Sequence, residues 1–243
     1  MAGGSTFSAA APVTGIKRLP LAALMPLCQE PDHLPFYNAP GAQLFCGDAR
    51  LILPTLVGVE TIITDPVWPN AHPDLIGHED PLGLFTETMR RLPASVRRII
   101  VWLGCQSDPR FLLAVPRRFP FLRLAYLRRA IPSYNGRCLV SGDVIYAFGE
   151  WPASRPGHRV IPGDGCSMVT NHRLQQPHPA YRNEAAAMWV VKWWGEGIVC
   201  DPFAGTGTIL VACHAQGVPA IGIEIEAKYC AVAVERLRQL TIW

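Results

Sequence analysis

Several things this chain does not have narrow its reading at once. No apolar run among its 243 residues approaches the roughly 18–20 needed to span a bilayer, so no membrane association is expected. The first stretch, Met1 to Thr14, is small and polar without a basic cluster, which argues against a secretory leader and for a cytoplasmic protein. Eight cysteines are present, at 28, 46, 105, 138, 166, 200, 213 and 230, but no C-x-x-C pair. Several fall inside predicted strands or helices, so they read as buried thiols in a reducing compartment, and no metal is expected. No Gly-Lys-Ser/Thr follows any glycine-rich turn, which excludes a phosphate-clamping P-loop. Charge is sparse at 17%, yet 49% of the residues are hydrophobic, a balance that excludes disorder and suits one large α/β domain.

What is there centres on Val199-Cys200-Asp201-Pro202-Phe203-Ala204-Gly205-Thr206-Gly207-Thr208. Ile198 to Cys200 reads as a buried strand, Gly205 and Gly207 as a turn, and Thr208 to about Gln216 as a helix. A second strand, Ala220 to Ile223, closes on Glu224. Glycines let backbone N–H groups approach a ligand, and an acid ending the second strand can hold ribose hydroxyls. The dinucleotide fingerprint wants a third glycine where this chain has Leu210. A ligand with a ribose but no pyrophosphate therefore fits better.

Upstream, strands are expected at Gln43–Cys46, Thr61–Ile63, Arg98–Leu103, Leu122–Leu127 and Val144–Phe148, the last two as a hairpin. Helices are expected at Ala49–Leu56, Pro81–Leu92, Pro109–Arg117, Glu184–Trp194 behind an Asn183 cap, and Ala227–Gln239. Trp189 and Trp193 are expected on the aromatic face of the fourth of these. Residues 1–40 read as a tail and irregular lead-in, and Trp151–Pro179 as a stretch of little order. Alternation of strands and helices implies an α/β fold with a mostly parallel sheet and helices on both faces. The loop Thr64-Asp65-Pro66-Val67-Trp68-Pro69-Asn70 then falls at the C-terminal end of a parallel strand, where open α/β sheets place their chemistry. From Arg90 to Arg137 there are eleven arginines against one acid, Asp108. That run suits either contacts with a polyanion or a solvated face.

Gly47-Asp48-Ala49, Ile62-Ile63-Thr64-Asp65-Pro66-Val67-Trp68, His178-Pro179, the Asp201–Thr208 block and Gly222-Ile223-Glu224 occur in that order. Together they resemble the S-adenosylmethionine-dependent DNA amino-methyltransferases, in the permuted subgroup whose catalytic loop precedes the cofactor loop. The resemblance spans roughly residues 42–240. It implies a Rossmann-like methyltransferase fold over 41–243, with a short target-recognition insertion around 151–177, and S-adenosylmethionine as cofactor. Its partner would be double-stranded DNA. Glu224 would hold the ribose, with Phe203, Gly205, Gly207 and Thr208 forming the cradle. Asp201 would face the cofactor's ammonium, Asp48 and Ala49 the adenine, and Arg182 the carboxylate. Asp65 and Pro66 would bind the exocyclic amine of a flipped base, stacked on Trp68. Val67 departs from the Asp-Pro-Pro-aromatic loop usual in the family and loses a fixed φ. With no Pro-Cys dipeptide there is no nucleophile for attack at cytosine carbon 5. The leading aspartate leans the expectation toward adenine N6 over cytosine N4, and a homodimer that shares target readout is compatible with the short recognition region. Arg155, Arg159, His172 and Arg173 stand as either DNA contacts or solvated surface.

Overall fold

The computed structural model describes residues 34–69, 73–157, 159–167 and 183–240. Nine strands form one sheet: β1 (Tyr37–Ala39), β2 (Ala42–Cys46), β3 (Val59–Thr64), β4 (Arg98–Gly104), β5 (Phe121–Asn135), β6 (Cys138–Gly149), β7 (Asp164–Ser167), β8 (Ile198–Asp201) and β9 (Ala220–Glu224). Their order is β1-β2-β9-β8-β3-β4-β6-β5-β7. The five strands β2, β9, β8, β3 and β4 run parallel, and β6 enters antiparallel between β4 and β5. This is the Rossmann-like arrangement expected of the pattern, with its antiparallel hairpin.

Helices cover both faces because the central strands are apolar on both sides. In β4, six successive residues from Arg98 to Leu103 are buried. One face carries α3 (Glu184–Trp194), α4 (Thr208–Ala215) and α5 (Ala227–Leu240). In α5 the residues Cys230, Ala233, Val234 and Leu237 fall on one stripe and are buried, the period of a half-buried helix. α4 is apolar almost all round because it is wedged between α3, α5 and the sheet. The Asn183 side chain accepts from the Ala186 N–H at 3.2 Å, the expected cap of α3. Trp194 is the fully buried aromatic of that helix, with Trp189 and Trp193 only packed against the core. The other face carries α1 (Ala49–Ile52) and α2 (Pro81–Arg90).

Four expectations are corrected. The helix expected to reach Leu56 ends at Ile52 and tightens into a 3-10 turn, Leu53–Thr55, because Pro54 has no N–H to continue the α pattern. Pro109–Arg117 is likewise a 3-10 turn, ending at Ala114 two residues before Pro116. The hairpin is far longer than its apolar cores: β5 runs on to Asn135, and the reversal is only Gly136, at φ 57°, and Arg137. Pro132 falls where the β5–β6 register shifts, between Arg128 and Ser133, which is how a strand tolerates a residue without a donor. Finally, Asp164–Ser167 joins the sheet parallel to β5, and Tyr37–Ala39 pairs with β2, though both lay in stretches read as irregular. Short polar strands give no periodic signal of their own.

Candidate functional site

β8 continues through α4 to β9 on one side of the sheet, and β3 through α2 to β4 on the other. The chain therefore diverges between β8 and β3, which are paired with Ile62 opposite Cys200. A crevice opens outside the carboxyl ends of strands that part in this way. Both sequence blocks end there: Asp201 is the last residue of β8 and Asp65 the first beyond β3. Between them lies a cavity of about 410 Å³, within the size range of small-molecule sites.

The cavity brings together Asp48, Ala49, Asp65, Pro66, Trp68, Asp201, Phe203, Gly205, Thr208 and Glu224. His172, Arg173, Arg182 and the His178-Pro179 block lie outside the described residues. Gly207 is not part of the wall. It takes φ 76° at the start of α4, and a Cβ there would stand 2.8 Å from that of Ala233, so it lets α4 close against α5.

Glu224 is held in place by the turn it faces. One carboxylate oxygen accepts from the Gly205 N–H and the other from the Glu226 N–H, each at 2.8 Å. Burial raises its pKa, against the pull of those N–H groups. Asp201 is 2% exposed and accepts from the Phe203 N–H at 3.1 Å. Burial, reinforced by the negative charges of Asp65 and Glu224, raises its pKa from the ordinary 3.8 to about 8. Asp48, which lines the cavity as expected of a site residue, also has a local structural task. It caps α1 by accepting from the Arg50 N–H at 2.8 Å, and both its oxygens bind the Arg50 guanidinium, which holds its pKa low. Its main-chain neighbourhood lines the cavity while its charge is already matched.

Acids dominate the remaining wall. Glu79, Asp80, Glu87 and Glu226 join Asp48, Asp65, Asp201 and Glu224, and among the described residues Arg50 is the one basic residue of the lining. Several of these charges are met by arginine or lysine: Asp48 by Arg50, Glu87 by Arg90 and Arg91, and Glu226 by Lys228. The described part of the wall is thus net acidic, which suits a cationic ligand better than a phosphate-bearing one. Among the described residues no group of three or more His, Cys, Asp or Glu is disposed to hold a metal.

Sequence reasoning missed Tyr229 and Ile225, which line the cavity, and Arg236, which does not but secures its loop. Arg236 donates to the Thr206 carbonyl and hydroxyl and to the Thr208 hydroxyl, and pairs with Glu184 at 2.9 Å. It is an internal cation on a helix otherwise patterned for surface, but its partners lie 28 or more residues away and leave no local signal. Phe203 is braced from the other face by Phe85, which itself stacks on Phe111 at 4.8 Å.

Residues 165–235 match the family described as DNA methylase, of the N6/N4 type. Over 81 residues the chain is 35% identical to the orphan methyltransferase M.BamHII of Bacillus amyloliquefaciens, covering 32% of this chain and 31% of that protein. Over 62 residues it is 39% identical to the type II methyltransferase M.ScaI of Streptomyces caespitosus, covering 25% and 20%. The matches thus span less than a third of either curated relative. In fold, it is similar to M1.HpyAVI in complex with S-adenosylmethionine, with a TM-score of 0.61 at 21% identity, covering 81% of this chain and 98% of that one. It is similar also to the cytosine-N4-specific PvuII DNA methyltransferase, with a TM-score of 0.63 at 14% identity, covering 87% and 94%.

Proposed function

We propose that this chain is a member of the N6/N4 DNA methylase family and transfers a methyl group from S-adenosylmethionine to the exocyclic amine of a base in double-stranded DNA, with adenine N6 as the target. The observation that carries this reading is the acid-walled cavity at the switch point, shared by the Asp65–Trp68 loop and the Gly205 turn.

The donor set fits the cofactor chemically. S-adenosylmethionine, when bound, supplies a methyl group on a positively charged sulfur, and it also carries an ammonium but no phosphate. Glu224, fixed by two backbone N–H groups, is placed to accept from ribose hydroxyls. Ile225, 44% exposed directly after it, offers apolar surface to the adenine. Asp201 faces the cavity from the floor and matches the ammonium. The Gly205 turn, braced by Arg236 and Phe85, shapes the wall between them.

On the opposite wall Asp65 and Pro66 act on the base. An exocyclic amine is a poor nucleophile because its lone pair is delocalised into the ring. The Asp65 carboxylate and the Pro66 carbonyl oxygen would accept its two N–H groups and hold the nitrogen with its lone pair toward the cavity. That is positioning and electrostatics, with no covalent bond to the protein. Trp68, half-buried against the β3 side of the core, offers its remaining face to a base turned out of the duplex. Val67 lines the same wall and leaves both acceptors in place.

Incubation with labelled S-adenosylmethionine and unmethylated genomic DNA, followed by nucleoside mass spectrometry, tests the proposal. N6-methyldeoxyadenosine is the expected product. N4-methyldeoxycytidine would move the target to cytosine. No methylated nucleoside, with cofactor binding intact, would overturn the catalytic reading and leave a DNA-binding protein of the same fold.

A further inference from the structure

A second cavity, of about 400 Å³, lies at the other edge of the sheet. Arg98 begins β4 and pairs in register with Gly149, the last residue of β6. The chain then turns through Trp151, whose carbonyl accepts from the Arg98 guanidinium at 3.4 Å. Across from it stands Trp193 at the C-terminal end of α3, a helix whose first residue, Glu184, reaches the cofactor loop through Arg236. Helix α3 has 11 residues, so the two cavities are separated by a helix of roughly 16 Å.

The two cavities have opposite chemistry. The second is lined by Arg123, Arg155 and Arg159 together with Trp151 and Trp193, and among the described residues no acid stands in its wall. That is unusual for this molecule, where arginines are mostly matched by carboxylates. Arg123 and Arg155 are instead held by main-chain carbonyls, those of Ile161 at 2.8 Å and Lys192 at 3.3 Å. These bonds fix the guanidinium groups without neutralising them. The nearby acid, Glu196, is taken up by the Arg98 guanidinium at 2.8 Å and by the Ala153 N–H. Trp151 lies stacked on the buried Trp194, ring centres 5.8 Å apart, yet is 52% exposed. One indole face is thus anchored on the core while the ring stays accessible. A guanidinium held at Arg155, with the exposed Arg159 in the same wall, beside an indole anchored at Trp151 supplies the elements that bind phosphate and stack a base.

We propose that this cavity binds a nucleotide unit, its phosphate on Arg155 and Arg159 and its base against Trp151 and Trp193, independently of the methyl-transfer site. A free nucleotide and one unit of a single strand share this chemistry. The test is tryptophan fluorescence titration of the full chain with a single-stranded oligonucleotide of roughly 12 nucleotides, a nucleoside monophosphate and inorganic phosphate. The exposed pair is reversed in an R155E/R159E variant and neutralised in R155Q/R159Q, so that a folding defect in one leaves the other. The expected result is quenching whose Kd weakens at least about tenfold in the variants, a loss of about 1.4 kcal/mol. Binding of labelled S-adenosylmethionine to the first cavity should be unchanged. Full competition by the monophosphate identifies a free nucleotide as the ligand, and binding of the oligonucleotide alone identifies a strand. An unchanged Kd in the variants, or quenching by inorganic phosphate equal to that by either nucleotide probe, overturns the proposal. Because no methyl transfer is read, failure here leaves the proposed activity untouched, and failure of that activity leaves this binding intact.

Discussion

Asp201 shows how one buried side chain ties ligand chemistry to stability. Its pKa in the folded protein is about 8 against an ordinary 3.8, so the folded state keeps a proton that the unfolded state gives up. This acid is raised, not lowered, and the usual sign reverses. Its contribution is fully present below about pH 4 and is lost as pH rises toward 8, at up to about 1.4 kcal/mol per pH unit. The ligand-free protein should therefore melt at a lower temperature at pH 8 than at pH 5.5. Asp201→Asn, which keeps an acceptor for the Phe203 N–H, should flatten that fall. A Tm profile equally steep in the variant would remove Asp201 as the cause. A cation entering the cavity favours the ionised carboxyl, so S-adenosylmethionine binding at pH 7 should release protons. Calorimetry in two buffers of different ionisation enthalpy reads that release directly.

The same wall divides the work between two other acids. Asp65 lies on the loop proposed to hold the target base, and Glu224 under the Gly205 turn. Asp65→Asn should lower methyl transfer by at least about 100-fold, the scale of losing an oriented polar contact in the reacting complex, and leave cofactor affinity nearly unchanged. Glu224→Gln should weaken cofactor binding first. Equal loss of both properties in the Asp65 variant would contradict the assignment. The placement of both acids in one cavity was legible in the sequence because each stands at the carboxyl end of a strand beside a glycine or proline turn. The structural contacts of Asp48 and Gly207 were not. Asp48 is claimed by Arg50, and Gly207 by the approach of α5, both matters of what folds against them.

At the scale of elements, Gly207 separates a packing role from a binding role. An alanine there meets both a positive φ and the Ala233 Cβ at 2.8 Å, which costs roughly 1–3 kcal/mol. Urea unfolding of Gly207→Ala should show that loss, while cofactor affinity measured well below the transition stays close to that of the unaltered protein. The β5–β6 ribbon offers the complementary case. Gly104, the carboxyl end of β4, pairs with Asp143, and β7 pairs with β5 only as far as Arg129, so the ribbon from Ala130 to Ser141 runs past the described strands beside it, at the end of β4 toward the first cavity. Ile131, Tyr134 and Leu139 on this ribbon are exposed among the described residues. A ribbon of this width can enter a major groove. Replacing residues 130–139 by a two-residue turn should preserve the fold and cofactor binding and raise the KM for DNA at least about tenfold. An unchanged KM would return the ribbon to ordinary surface. Its length was hidden from the sequence because Pro132, Gly136 and polar neighbours break the alternation by which strands are read.

Across the whole molecule, the arginine run illustrates what a linear reading cannot weigh. Between Arg90 and Arg137 one acid stands in the sequence, yet seven of the eleven arginines are paired with carboxylates. The partners are brought in from elsewhere: Glu150 lies 53 residues from Arg97, and Asp164 lies 36 from Arg128. Arg98 is buried outright, bridging Glu196 and the Thr61 hydroxyl, with its pKa lowered by that burial. Arg117, Arg118, Arg123 and Arg137 are left without a carboxylate partner among the described residues. This changes the expected electrostatics of DNA binding. Eleven free arginines would release counterions with a slope of log K against log salt near −10, whereas four predict a slope of about −4. Duplex binding measured between 50 and 200 mM salt distinguishes the two regimes. A slope near −4 means that the fold has spent most of its arginines on its own acids, and that shape and the projecting ribbon carry the larger share of target selection. A slope near −10 means that those ion pairs open when DNA arrives, which makes the paired arginines the contact surface after all.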